Sequence, residues 1–425
     1  MDKGFLELVD VGLIDAAFRA PVSEEALEAV LPILDTVKNF GEAAIREISE
    51  SFGELRPGDK LFYNKADLKA AFESLNDEDR EVLLRSAERV RRFALAQRES
   101  ITEITVPVPG GAAGHQIAPV TVAGCYAPGG RFPLPSTVIM TAVTARAAGV
   151  QFVWVASPKP TPITLAAASV ADADGLIAAG GAQALAALAY GCGEVPKCDV
   201  IVGPGNRYVT AAKKALHGIV NIDMLAGPSE LVVVADSTAD PALVAADLLA
   251  QAEHDPEALP VLIATEKSFV DQVQREIKLQ LKNLPTRAIA EESLKIGFST
   301  VVRDMQEASA VCTLLAPEHL QLCFSGAAEI AGQFTDYGAL FIGHNTAEVL
   351  GDYGIGPNHT LPTGGTARFS SGLSVFDFVR TRTFVLSDRA ATSLSLYGDT
   401  AHFARLEGLE GHARAAELRA RSRSR

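Results

Sequence analysis

The chain predicts an α/β protein: two Rossmann-like parallel-sheet domains, with a helical segment before them and a helical arm after them. Three observations lead there. Short apolar runs alternate with alanine-rich helical stretches from residue 119 to about residue 343. The runs are separated by whole helices rather than tight turns, which calls for right-handed crossovers and a sheet covered on both faces. At 425 residues, finally, the chain exceeds what a single hydrophobic core organises, about 250–300 residues, so two or more lobes are the default.

The elements follow in order. From Pro21 to about Arg98 the pattern is helical: SEEALEAVLPILDTVKNF and DEDREVLLRSAERVRRFALAQ place apolar residues three and four apart behind acidic first turns. Between residues 119 and 222 one unit recurs, an apolar run, a Gly/Pro break and an alanine-rich helix. VTVAGCYAPGG leads to STVIMTAVTARAAG, QFVWVASP to ITLAAASVADA, GLIAAGG to AQALAALAYG, and CDVIVGPGN to RYVTAAKKALHG. The alternation resumes with ELVVVAD, a helix opened by Asp240-Pro241 that runs to QAEHD, then LPVLIAT, a long helix, TVVRD, a helix ending near APEHL, and ALFIG. Residues 344–373 are glycine-rich and aperiodic, too long for an ordinary connection of about 4–6 residues, and loops of that kind inside enzymes are usually functional. From Ser374 onward the chain returns to helical patterns, short enough to form an arm.

Composition narrows the function. Hydrophobic residues at 48% and charged residues at 21% belong to a globular protein. A net charge of −14 repels a phosphate backbone, and the one concentrated basic stretch is the terminal RARSRSR, so no nucleic-acid partner is expected. MDKGFLELVD lacks the basic and apolar regions of a secretory signal, and no window of about 18 residues is free of charge and Gly/Pro breaks, which places the protein in the cytoplasm, without a membrane. The five cysteines, Cys125, Cys192, Cys198, Cys312 and Cys323, form no CxxC pair and read as small core residues.

Several residues carry chemistry. CDVIVGPGNRYV reads as a strand, a glycine turn and a helix start, which presents backbone N–H groups to an anion; it also fits a plain turn, and it is not GxGxxG. YAPGG and AGGAQ repeat the arrangement at neighbouring strand ends, where a ligand crevice forms. Gln251 and His254 are three apart and share a helix face, an N/O donor pair suited to zinc or another divalent metal. A histidine beside an aspartate at a helix end is equally the pattern of a capped, solvated side chain. Asp352, His359 and His412 offer further donors, though spacing alone does not bring them together. Glu318 and His319 follow a proline and suit acid–base work near neutral pH, or else an acidic helix start. GxSxG, Walker A and HExxH patterns are absent, which leaves hydrolase and kinase readings without support.

Together GGAQALAALAYG, GPGNRYV, IDMLAGPSE, ADLLAQAEHD, PEHL, GDYGIGPNHTLPT and EGLEGH stand in the order found in the histidinol dehydrogenase family, which the chain resembles from about Pro21 to Arg419. The resemblance implies oxidation of L-histidinol to L-histidine in two NAD-dependent steps through a bound aldehyde, with one Zn2+ per subunit. It implies zinc ligands at Gln251, His254, Asp352 and His412, the last supplied across a homodimer by the C-terminal arm. It implies His319 as the base and Glu318 as the activator of water. Ser229, His359 and Glu407 match substrate-contacting positions, as do the zinc and catalytic residues; Tyr126, Gln183 and Asn206 match positions that touch NAD. The expected division is an N-terminal segment (1–20), a discontinuous α/β domain with the zinc and catalytic residues (21–124 and 232–373), an NAD-side domain (125–231) and a dimer-crossing arm (374–425).

Other features lean elsewhere. RFALAQ lacks a histidine common after the phenylalanine, and GAAGHQIAPVTVAGCYAPGGR and EGHAR resemble sulfopropanediol dehydrogenase-like paralogues, whose substrate would be a sulfonated diol. GPSE, PEHL and GPNH are the histidinol forms. A metal-holding scaffold without turnover is the reading from outside the enzymes.

Overall fold

The computed structural model describes residues 5–14, 22–129, 132–387 and 394–421; Gly130 of YAPGG and the last four residues of the basic tail lie outside them. In chain order come β1 (Glu7–Leu8), α1 (Glu24–Phe40), α2 (Glu42–Ser51), β2 (Phe62–Asn64), α3 (Lys65–Glu73), α4 (Asp77–Glu99), β3 (Ile104–Val108) and β4 (Gly111–Pro119). Next are β5 (Val122–Tyr126), α5 (Pro135–Ala148), β6 (Phe152–Ala156), α6 (Pro162–Val170), β7 (Gly175–Ile177), α7 (Gly181–Tyr190), β8 (Val200–Val202), α8 (Arg207–Leu216) and β9 (Asn221–Ile222). The second half holds β10 (Glu230–Ala235), α9 (Pro241–Ala252), β11 (Leu259–Ala264), α10 (Lys267–Gln280), α11 (Arg287–Ile296), β12 (Phe298–Val301) and α12 (Met305–Leu315). It ends with β13 (His319–Cys323), α13 (Ala327–Ile330), β14 (Ala339–Ile342), α14 (Val349–Asp352), β15 (Val379–Ser387), α15 (Leu394–Leu406) and α16 (Glu410–Arg421).

Residues 1–98 and 120–378 form one compact unit. It contains two six-stranded sheets, ordered β2-β7-β6-β5-β8-β9 and β1-β12-β11-β10-β13-β14. The second is parallel throughout, and the first departs from parallel only where β2 runs against β7. The expected α/β class with two parallel sheets is therefore the observed one. Strands β5, β7, β8 and β10 are buried along their whole length, the condition under which a strand reads as one apolar run rather than an alternation. All five cysteines are free and buried, as small core side chains.

The helical entry segment sits elsewhere than expected. Val30, Leu34, Val37 and Ile45 of α1 and α2 belong to one core with Leu185, Leu188, Ile201 and Leu216 of the first sheet and its helices. Residues 22–64 therefore complete the domain of the glycine turns, not the one that begins at residue 232. An amphipathic helix announces that it covers something, not what, and α1 packs on α7 and α8 because their small alanine faces let it approach closely. The N-terminal segment likewise joins a sheet, β1 pairing in parallel with β12.

Residues 99–119 and 379–425 form a second unit. It is an antiparallel sheet, β15-β4-β3, with a helical hairpin, α15 and α16, closed over Ala401, Ala404, Ala413 and Ala416. The arm is thus not helical throughout: β15 pairs with β4 from Val379↔Pro119 to Ser387↔Gly111. A side chain at Gly111 would meet the Leu386 carbonyl oxygen at 1.9 Å, so the close approach of these strands requires glycine there.

Candidate active site

The chemistry-bearing residues gather at the amino ends of the second sheet's strands. The backbone of Glu230, first residue of β10, holds both members of the Glu318–His319 pair. Its N–H donates to Glu318 Oε2 at 2.9 Å, and its carbonyl faces His319 Nδ1 at 3.0 Å. A carbonyl only accepts, so Nδ1 carries the proton and Nε2 presents a lone pair. His319 opens β13, in register with Leu231, and the helix-start alternative for this segment does not occur. Burial pushes the imidazole down to about 4, keeping it neutral, and burial pushes the Glu318 carboxyl well above its usual range. A neutral, fixed imidazole with a free Nε2 is a proton acceptor.

Gln251 lies in the last turn of α9 with no exposed surface, and neither its amide oxygen nor its nitrogen has a partner. His254 follows, its side chain 40% exposed, with Nε2 at 3.4 Å from Asp352 Oδ2. That hydrogen bond raises the imidazole against the effect of burial. Burial pushes Asp352 up as well, but His254 and the neighbouring imidazoles outweigh it and hold the carboxyl low. Gln251, His254 and Asp352, three of the four expected ligands, thus lie in the same lobe, two of them in contact. His412, in the first turn of α16, and Glu407, just after α15, are exposed residues of the second unit.

Glu348, which the sequence reading did not single out, is fully buried just before α14, and neither carboxylate oxygen has a partner. Its Oε1 lies 3.5 Å from His319 Nε2, and burial followed by the charge of Asp352 pushes it up to about 8. One ligand atom each from His319, Glu348 and Asp352 lies within 4.8 Å of the others. The available signal was its position four residues before Asp352, one helical turn away. Unpaired buried polar atoms are costly, and the Gln251 amide carries two of them in the lobe that also supplies the His254 imidazole and the Asp352 carboxylate. That N/O set is the kind that suits a divalent metal such as zinc.

His359 uses both ring nitrogens within the protein: Nδ1 faces the Asp352 carbonyl oxygen and Nε2 the Thr137 hydroxyl, each at 3.2 Å. Ser229 is half-buried directly before β10, its carbonyl accepting from Leu259 N–H.

The glycine turns lie at the carboxyl ends of the first sheet's strands, and residues of the expected NAD set brace two of them, AGGAQ and GPGN. Tyr126 Oη accepts from Gly181 N–H at 3.2 Å. Gln183 donates through Nε2 to Glu54, which also accepts from Gly180 N–H. Asn206 caps α8 by accepting from the N–H groups of Tyr208 and Val209. Beneath GPGN, Gly203 donates to Asp223 and accepts from Lys213, a buried ion pair. With φ at +119° and its Cβ direction blocked by the Tyr126 carbonyl, that position is restricted to glycine.

Glycine turns on one parallel sheet and a buried acid–base cluster with metal-fitting donors on the other are the arrangement of an α/β dehydrogenase. A family model for histidinol dehydrogenase matches residues 19–420. The histidinol dehydrogenase of Thermus thermophilus is 44% identical over 92% of this chain and 94% of its own length, and that of Geobacter sulfurreducens 41% identical over 98% and 99%. The crystal structure of histidinol dehydrogenase from Elizabethkingia anophelis superposes with a TM-score of 0.91 at 30% identity, covering 100% of both chains. The chain belongs to the histidinol dehydrogenase family, a family of oxidoreductases. No described helix is long and apolar enough to cross a membrane.

Proposed function

We propose that this protein oxidises L-histidinol to L-histidine through L-histidinaldehyde, reducing two NAD, at a zinc ion held by Gln251, His254, Asp352 and the His412 of a second copy. The observation that carries the reading is the fixed tautomer of His319: Nδ1–H is tied to the Glu230 carbonyl, and the unpartnered Nε2 is aimed into a cluster of buried, unpartnered donors. The family relationship supports the substrate.

In the first oxidation the substrate hydroxyl gives its proton to His319 Nε2 while the hydride on the same carbon passes to the nicotinamide, leaving the aldehyde. Glu318, its Oε2 fixed by the Glu230 N–H, takes a proton from the water that adds to the aldehyde carbon. Once His319 has released its first proton to solvent, the hydrate loses a further proton to it and a second hydride to a second NAD, giving the carboxylate. The zinc, when bound, supplies positive charge that anchors the substrate's amine and imidazole. On the cofactor side, Tyr126, Gln183 and Asn206 shape the turns that receive NAD, and Ser229 and Glu407 contact the substrate.

The test is stoichiometry. Purified protein with L-histidinol yields two NADH for each histidine formed, and a sulfonated diol yields none. No NADH from histidinol removes the assignment; faster turnover of the diol transfers it to the paralogous reaction.

A further inference from the structure

His359 joins two segments that lie 222 residues apart in the chain. It sits in GPNH, seven residues beyond Asp352, and its ring is almost wholly enclosed. The Asp352 carbonyl can only accept, so Nδ1 carries the proton and donates to it. Nε2 is therefore a lone pair, and the Thr137 hydroxyl donates to it.

Thr137 is the third residue of α5, the helix that follows the YAPGG turn of the first sheet, and it is 2% exposed. Buried threonines in helices commonly return their hydroxyl to a carbonyl of the preceding turn. Two threonines of this same helix do so, Thr141 to the Thr137 carbonyl and Thr144 to the Met140 carbonyl. The Thr137 hydroxyl instead reaches out of its helix to His359. The neighbouring Asn358 is pinned to the same helix, donating through Nδ2 to the Met140 carbonyl at 2.8 Å and the Thr144 hydroxyl at 3.3 Å. The loop carrying Asp352 is thus fastened to the cofactor-side domain by two side chains in succession.

We propose that Thr137 is a positioning residue for the metal site: its hydroxyl fixes the tautomer and orientation of His359, which in turn holds the backbone of Asp352. The inference rests on the reading of Asp352 as a metal ligand. It makes the geometry of a ligand in the second sheet's loop depend on a helix of the first. Groups that orient a ligand from behind typically change metal affinity about 10–100-fold when removed.

The experiment compares full-length wild type, Thr137→Val and Thr137→Ser, loaded with Zn2+ and titrated with a chelator, while the zinc-free forms are melted in parallel. The valine variant keeps its shape but offers Nε2 no proton, so it is expected to hold zinc at least about 10-fold more weakly. Its zinc-free melting temperature changes little by comparison, and serine restores the affinity. Thr137→Ala, which adds no volume, gives the same comparison should the valine variant fail to fold. Zinc affinity in Thr137→Val within about twofold of wild type, far below the effect expected for such a group, overturns the inference alone. A wild-type protein that binds no stoichiometric zinc overturns it together with the reading of Asp352 on which it rests.

Discussion

Leu231 of β10 stands in register with His319 of β13, so the residue before each, Glu230 and Glu318, meets at the start of two neighbouring parallel strands. The Glu230 peptide can then donate to the carboxylate and accept from the imidazole at once, fixing both members of the pair with one backbone unit.

Replacing His319 by Asn is expected to lower kcat by roughly 10²–10⁴, the usual contribution of a positioned general base, and to leave zinc content unchanged. Steady-state kinetics with metal analysis checks both. The pH profile adds a sign. The folded value of about 4 lies below the ordinary 6.5, so the unfolded chain binds more protons between these values. Stability from this group is therefore full above about 6.5 and lost as pH falls towards 4, to a limit of about 3 kcal/mol. His319→Asn removes that slope, which chemical denaturation at a series of pH values measures. Activity that fails on acidification with a midpoint at 6.5 would show that His319 is not held neutral.

Lys213→Met leaves Asp223 charged with 0% side-chain exposure, and breaking such a buried pair from one side costs about 3–5 kcal/mol. The double variant Lys213→Met/Asp223→Leu should recover most of that loss in a denaturant titration. Because the pair anchors both backbone groups of Gly203, the double variant is also expected to raise KM for NAD well beyond any change in KM for the alcohol. Equal changes in both would show that the pair stabilises the fold without shaping the cofactor turn.

His254→Asn and His412→Asn should each be inactive alone. Unfolded together and refolded as a mixture, they should regain about a quarter of wild-type activity if the proposed shared-site homodimer forms, since half of such dimers would be mixed and each mixed dimer would hold one intact site of two. No recovery on mixing would place His254 and His412 in the same subunit's site.

The sequence disclosed the repeating strand–helix units because fully buried parallel strands are apolar end to end, as in ELVVVA. It did not disclose β15, although Arg380 and Arg382 alternate there with β-branched threonines, because the partner strand lies far upstream and half the signal is in the pairing. The donors of the candidate site were recognisable as residue types; their meeting depends on register and on the docking of the GPNH loop, neither of which is a local property. Glu348 was hidden for a related reason. An acid one turn before Asp352 looks like an ordinary solvated helix face until the strands beneath it show that the position is sealed.

The long ladder between β4 and β15 has a consequence for biosynthesis. The β3–β4 hairpin leaves the ribosome with the full edge of β4 unpaired, and the strand that closes it is made only after residues 120–378. At about 5–20 residues per second, that delay is on the order of 10–50 s. An open edge bearing Ile104, Val106 and Val108 nearby is an aggregation hazard throughout that interval. Overproduced protein should therefore respond to chaperone supply and to slower growth more than its melting temperature would suggest.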